Sequence, residues 1–144
     1  MSILNTCCHT TEEVSRLHAA LRNVYWESFN VSFSDVGCSV DMHEPDKVYL
    51  HAMPDKQGQR QLLLLTQKIN EEMTKQGIPV RHPRRSMFHM TLARVTREFP
   101  TDKAVAAAKR IVFQNAGLRL RLCSFTLDGQ QYAAKEKDYI SNCA

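Results

Sequence analysis

The chain has 144 residues, 43% of them hydrophobic and 24% charged, with a formal charge of +4. A chain of that length buries about two thirds of the surface its unfolded form exposes, so neither a disulfide framework nor a structural metal is required to hold it together. The mildly basic balance, with a pI of about 8.9, favours anionic partners. The longest apolar run, Leu62 to Leu65, is far too short for a membrane span.

In chain order, the N-terminus Met-Ser-Ile-Leu-Asn-Thr-Cys-Cys lacks the basic start and apolar core of a secretory signal. Thr10-Thr11-Glu12-Glu13 reads as a capping box leading into an amphipathic helix over 11–25, with Val14, Leu17, Leu21 and Val24 on one stripe. Phe29, Val31 and Phe33 alternate with polar residues, and Lys47 to Met53 (KVYLHAM) forms a second strand after the turn at Glu44-Pro45-Asp46, so the two are expected to make a hairpin. Leu62, Leu65, Ile69 and Met73 mark a helix over 60–76, with Gly77 placed for a left-handed C-cap. Pro79 and Pro83 enforce a loop, a strand follows over 87–95, and a helix begins at Pro100-Thr101-Asp102. Leu118 to Leu127 reads as one long alternating strand, and residues 130–144 as a loosely attached tail.

Helix, strand, strand, helix, strand, helix, strand, with no low-complexity linker, predicts one α+β domain over 1–129. Five cysteines (Cys7, Cys8, Cys38, Cys123, Cys143) show no metal-ligand spacing, which predicts free thiols, no zinc site and a cytoplasmic or nuclear location. A monomer is expected. No G-x-S-x-G is present, so a serine hydrolase of that type is not expected either.

The chemistry concentrates in Ser86 to Val95 (SMFHMTLARV). Side chains alternate along a strand, so His89 and Thr91 share a face with Met87, Ala93 and Val95, while Phe88, Met90 and Leu92 form the opposite, apolar face. An imidazole that titrates near neutral pH and a hydroxyl roughly 7 Å along the same strand suit an oxyanion ligand. Cleaving a phosphoester calls for two proton carriers, with donors on the non-bridging oxygens, and one such pair supplies half of that. Arg81, His82, Arg84 and Arg85 precede the stretch and Arg94 and Arg97 follow it, with Arg84 and Arg85 best placed to hold a phosphate. The plainer reading is a strand histidine, a β-favouring threonine and solvated loop arginines.

The run F-H-M-T-L-A-R, preceded by KVYLHAM and RQLLLLTQKINEEMTKQGI, resembles the second signature half of the 2H phosphoesterase superfamily, which includes the LigT-like RNA ligases and cyclic phosphodiesterases. The resemblance covers most of 10–129, though only the segment around His89 is specific. It implies two lobes of antiparallel sheet with flanking helices. It also implies catalytic His89 and Thr91, RNA ends, 2′,3′-cyclic phosphates or related nucleotides as ligands, and no metal or cofactor.

The family needs a second H-x-T strand. His89 lies twelve residues ahead of Thr101, and the counterpart position ahead of Thr10 falls before Met1, so the first strand is expected to be missing. His9-Thr10-Thr11 fits H-x-T literally, which makes His9 and Thr11 a second candidate motif, but the capping box argues that Thr11 is helical. His51 lacks a hydroxyl two positions on. The alternative to an enzyme is a catalytically inactive nucleotide- or RNA-binding module, or a protein-interaction module, of the same fold.

Overall fold

The computed structural model describes residues 10–41, 43–80, 88–113 and 118–135. Among them the order is α1 (Thr11–Asn23), β1 (Phe29–Val40), β2 (Lys47–Pro54), α2 (Lys56–Lys75), β3 (Met90–Thr96), α3 (Thr101–Phe113), β4 (Arg119–Leu122), β5 (Ser124–Leu127) and β6 (Gln130–Ala133). The mixed α+β class is the one the sequence pattern predicts. An antiparallel sheet in the order β3-β2-β1-β4 is joined by a separate β5-β6 pair.

The capping box forms as read: the Glu13 N–H donates to Thr10 Oγ1 at 3.2 Å and the Thr10 N–H to Glu13 Oε2 at 3.1 Å. This satisfies two helix-end donors and starts α1 at Thr11. β1 and β2 make the expected hairpin, closed by an Asp41 carboxylate that accepts the N–H groups of His43 and Glu44. β1 runs past Phe33 to Val40 because a bulge between Phe33 and Asp35 moves the buried positions from Val31 and Phe33 to Val36. That one-residue slip hides the second half of the strand from a reading based on strict alternation.

α2 starts at Lys56, ahead of the expected 60, because Asp55 caps it by accepting the Gly58 N–H at 2.7 Å. At Gly58 a Cβ would stand 3.0 Å from Val31 Cγ1 and 3.2 Å from Asp55 Oδ1, so glycine lets the first turn of α2 close on β1. Gly77 has φ +69, the left-handed C-cap predicted for it.

Two apolar clusters result. In one, Leu17, Ala20 and Leu21 of α1 meet Leu65, Ile69 and Met73 of α2, with Trp26 and Tyr132. In the other, Val31, Phe33 and Ala52 of the sheet pack with Leu62 and Phe88, flanked by Met90 and Leu92. The apolar face predicted for Phe88, Met90 and Leu92 is therefore real. α3 lies against β1 and β2, and its Lys109 pairs with Asp35 at 2.9 Å.

Two expectations need correction. The long strand over 118–127 breaks at Cys123: β4 pairs with β1, and β5 pairs with β6. The segment from 130 to 135 is not a tail, because β6 closes a hairpin on β5, Tyr132 is 6% exposed, and its hydroxyl is hydrogen-bonded to His18 Nδ1. Asp128 (φ 46) and Gly129 (φ 78) are the two left-handed residues of a tight hairpin turn, and the Asp-Gly dipeptide between alternating runs is its signal. Residues 136–144 lie outside the described residues.

Gly58→Ala should lower the free energy of unfolding by about 1 kcal/mol, the overpacking against stiff, buried Val31 outweighing alanine's better helix propensity. Urea denaturation reads this directly, and an unchanged or raised midpoint would show that the α2 to β1 approach has slack.

Candidate functional site

β2 divides its side chains cleanly. Val48, Leu50 and Ala52 are buried in the apolar layer, which sends Tyr49, His51 and Met53 to the other face. His51 stands opposite Gly37 on β1 and opposite Thr91 on β3. The His89 ring, just ahead of β3, lies against His51 with centroids 4.2 Å apart and planes at 57°. His51 Nε2 and the exposed Ser39 Oγ share a hydrogen bond at 2.6 Å, and Tyr49 stacks on the other side of His51 at 6.2 Å.

The pairing of β2 with β3 slips by one residue between Leu50 and His51. Thr91 pairs with His51 and Ala93 with Leu50, so Leu92 is the extra residue, and everything after it changes face. Ala93 and Val95 therefore stand opposite Leu50 and Val48, on the apolar side, and not with His89 and Thr91 as strict alternation predicts. The same slip brings Arg94 opposite Tyr49, onto the histidine face. Its guanidinium lies 5.6 Å over the Tyr49 ring and pairs with Asp41, at 3.9 Å, and with Glu44.

The electrostatics follow from these contacts. Burial, and then the charge of His89, hold the His51 pKa below the usual imidazole value, so His51 is neutral at neutral pH. The His43 N–H, the Tyr49 phenol and the Arg94 charge hold Asp41 below the carboxylate range. Its carboxylate in turn raises the Tyr49 phenol. His51 Nδ1 is buried and has no hydrogen-bond partner among the described residues.

Gly37 leaves room beside this group: a Cβ there would meet nothing within 4 Å, and its φ is not in the left-handed region. His89 is fixed from both sides along the chain. Met90 pairs with Ala52, and on the other side Phe88, 1% exposed, is clamped by Gln59 of α2. Gln59 Nε2 donates to the Phe88 carbonyl at 3.0 Å and Gln59 Oε1 accepts the Phe88 N–H at 3.1 Å.

Of the residues singled out from sequence, His89 and Thr91 come together on one exposed face. Thr11 is the first helical residue of α1, so alternation cannot pair it with a neighbour on a strand. His9, Arg84 and Arg85 lie outside the described residues. His51 and Ser39 were not expected at the site. The hydroxyl missing two positions after His51 is replaced by hydroxyls on both neighbouring strands, a cross-strand relation that no local motif carries. The weak signal was the position of His51 on the same side of KVYLHAM as Tyr49. Among the described residues no group of three or more His, Cys, Asp or Glu is placed to hold a metal ion, and no helix is long and apolar enough to cross a membrane. No protein-family model matches the chain, and no curated protein matches it.

Because the folded pKa of His51 is depressed, its contribution to stability is full above about pH 6.5, the unfolded imidazole value, and is lost as the pH falls through the lower folded value. The urea midpoint should drop between pH 7.5 and 5.5, and His51→Gln should flatten that drop; an equal drop in the variant would assign the effect to other groups. Gln59→Ala should cost about 1–3 kcal/mol in the same assay, since it strips the partners from a buried N–H and C=O of Phe88.

Proposed function

We propose that the chain is a 2H phosphoesterase-like domain whose histidine face binds the phosphate of an RNA end, a 2′,3′-cyclic phosphate or a related nucleotide. The observation that carries this reading is the His51–His89 ring contact, with the Ser39 and Thr91 hydroxyls on either side and open space over Gly37. Two imidazoles, largely buried His51 and half-buried His89, with exposed hydroxyls on the flanking strands, give proton carriers and donors for non-bridging oxygens without a metal. The patch lies on the H-x-T strand from which the resemblance starts. Arg84 and Arg85 belong to the proposal as further phosphate donors.

In the acting form, a water gives its proton to the Ser39–His51 pair as its oxygen bonds to phosphorus. The bond from phosphorus to the 2′ or 3′ oxygen breaks, and His89 protonates that leaving oxygen. Neutral His51 is suited to accept a proton, and Thr91 to hold the phosphate. A second reading, binding without turnover, is favoured by one feature. Rings 4.2 Å apart leave no room for a phosphoryl group between them, whereas in-line displacement places the attacking and leaving oxygens on opposite sides of phosphorus.

A 2′,3′-cyclic nucleotide at 100 times its Kd should stabilise the protein by about 2.7 kcal/mol, and His89→Ala should abolish that shift. Gly37→Val should keep or raise stability, since valine suits a strand better than glycine, while filling the space beside His51 and removing the ligand-induced shift. Hydrolysis that collapses in His89→Ala marks the acting form, and a shift with no hydrolysis marks the binding form. No shift with any cyclic nucleotide overturns the reading.

A further inference from the structure

Beyond the histidine pair, the same face of β1 holds a second polar hollow. Asn30 and Ser32 alternate with buried Val31 and Phe33, and Gly37 and Ser39 follow buried Val36 after the bulge, so all four open on one side of one strand. Around Asn30 and Ser32 is a hollow of about 240 Å³, walled also by Asp55, Gln61 and Arg119. The Asp55 carboxylate is occupied by the α2 cap. Gln61 Oε1 is buried without a hydrogen-bond partner among the described residues, an acceptor suited to a hydroxyl or amino group.

The charges on this face are unevenly spent. Beside the histidines, Arg94 pairs with Asp41 and Glu44. Arg119 and Arg121 of β4 pair in register with Ser32 and Asn30, and neither makes an ion pair among the described residues; Arg121 donates to Ser28 Oγ, at 2.8 and 3.2 Å. From Gly37 to Ser32 is roughly 16 Å of strand. That is about five phosphates at the roughly 3.4 Å stacked spacing along one strand, and fewer in an extended one.

We propose that the ligand of this face is an oligoribonucleotide end and not a mononucleotide. Its terminal phosphate sits at the histidine pair, and an upstream nucleotide enters the Asn30–Ser32 hollow with its phosphate on Arg119 and Arg121. This rests on the function proposed above and adds a second subsite to it. The amide and hydroxyl groups of Asn30, Ser32 and Gln61 meet sugar hydroxyls and base edges, and the two arginines meet the backbone charge.

The test is calorimetric titration of the whole chain with oligouridylates of one to six nucleotides, each ending in a 2′,3′-cyclic phosphate. Affinity should rise at least tenfold between the mononucleotide and the hexanucleotide. The double variant Arg119→Ala/Arg121→Ala should bring the hexanucleotide down to the mononucleotide level and lower the salt slope by about 0.7 per arginine. Equal affinity at all lengths, with binding still dependent on His89, overturns the second subsite and leaves the functional reading standing. A length gain that survives the double variant also overturns it. Failure of every length to bind overturns both.

Discussion

One extra residue in β3 determines which side chains of the sheet can meet. Strands in register keep odd and even positions on opposite faces, so Thr91 and Arg94 could not share a side without a slip between them. The slip at Leu92 puts them on one side, while Leu92 stays with the apolar cluster and Thr91 faces His51 as alternation places them. A second slip, in β1, returns Val36 to the core after Phe33 and so fixes where Gly37 and Ser39 point. The polar face is thus built by two interruptions in otherwise regular pairing.

The packing beneath explains why the histidines hold their places. Phe88 is almost wholly buried, and both its backbone groups are bound by a helix side chain, so the chain enters β3 from a fixed point. His51 sits in the middle of a strand paired on both sides. Its surroundings favour the uncharged imidazole, through burial first and the neighbouring imidazole second. The His89 ring, 4.2 Å away between centroids, adds to the cost of charging His51.

Much of the fold could be read from residue patterns, and the unread parts share a physical cause. The capping box at Thr10, the α2 stripe from Leu62 to Met73, the left-handed Gly77 and the apolar trio Phe88, Met90 and Leu92 are local, and each formed where its spacing placed it. Asp55 as a cap and Asp128-Gly129 as a hairpin turn were equally local and legible in principle. The second half of β1, the break at Cys123 and the change of face after Thr91 were not, because a bulge leaves no mark in composition and shows only against a partner strand. The site divides in the same way. His89 and Thr91 sit two apart in one strand and announce themselves, whereas His51 and Ser39 join them through register across three strands.

β1 touches both ends of the polar face: its first residues pair with β4 and its later ones with β2. β1 is hydrogen-bonded to a neighbour on either side of its one bulge, between Phe33 and Asp35, so the separation between the Asn30 end and the Ser39 end is set by strand geometry and the bend at that bulge. A face built in this way acts as a fixed gauge. An elongated ligand of the kind proposed above would be measured by its reach along this face, within the small flexing of one strand in a sheet.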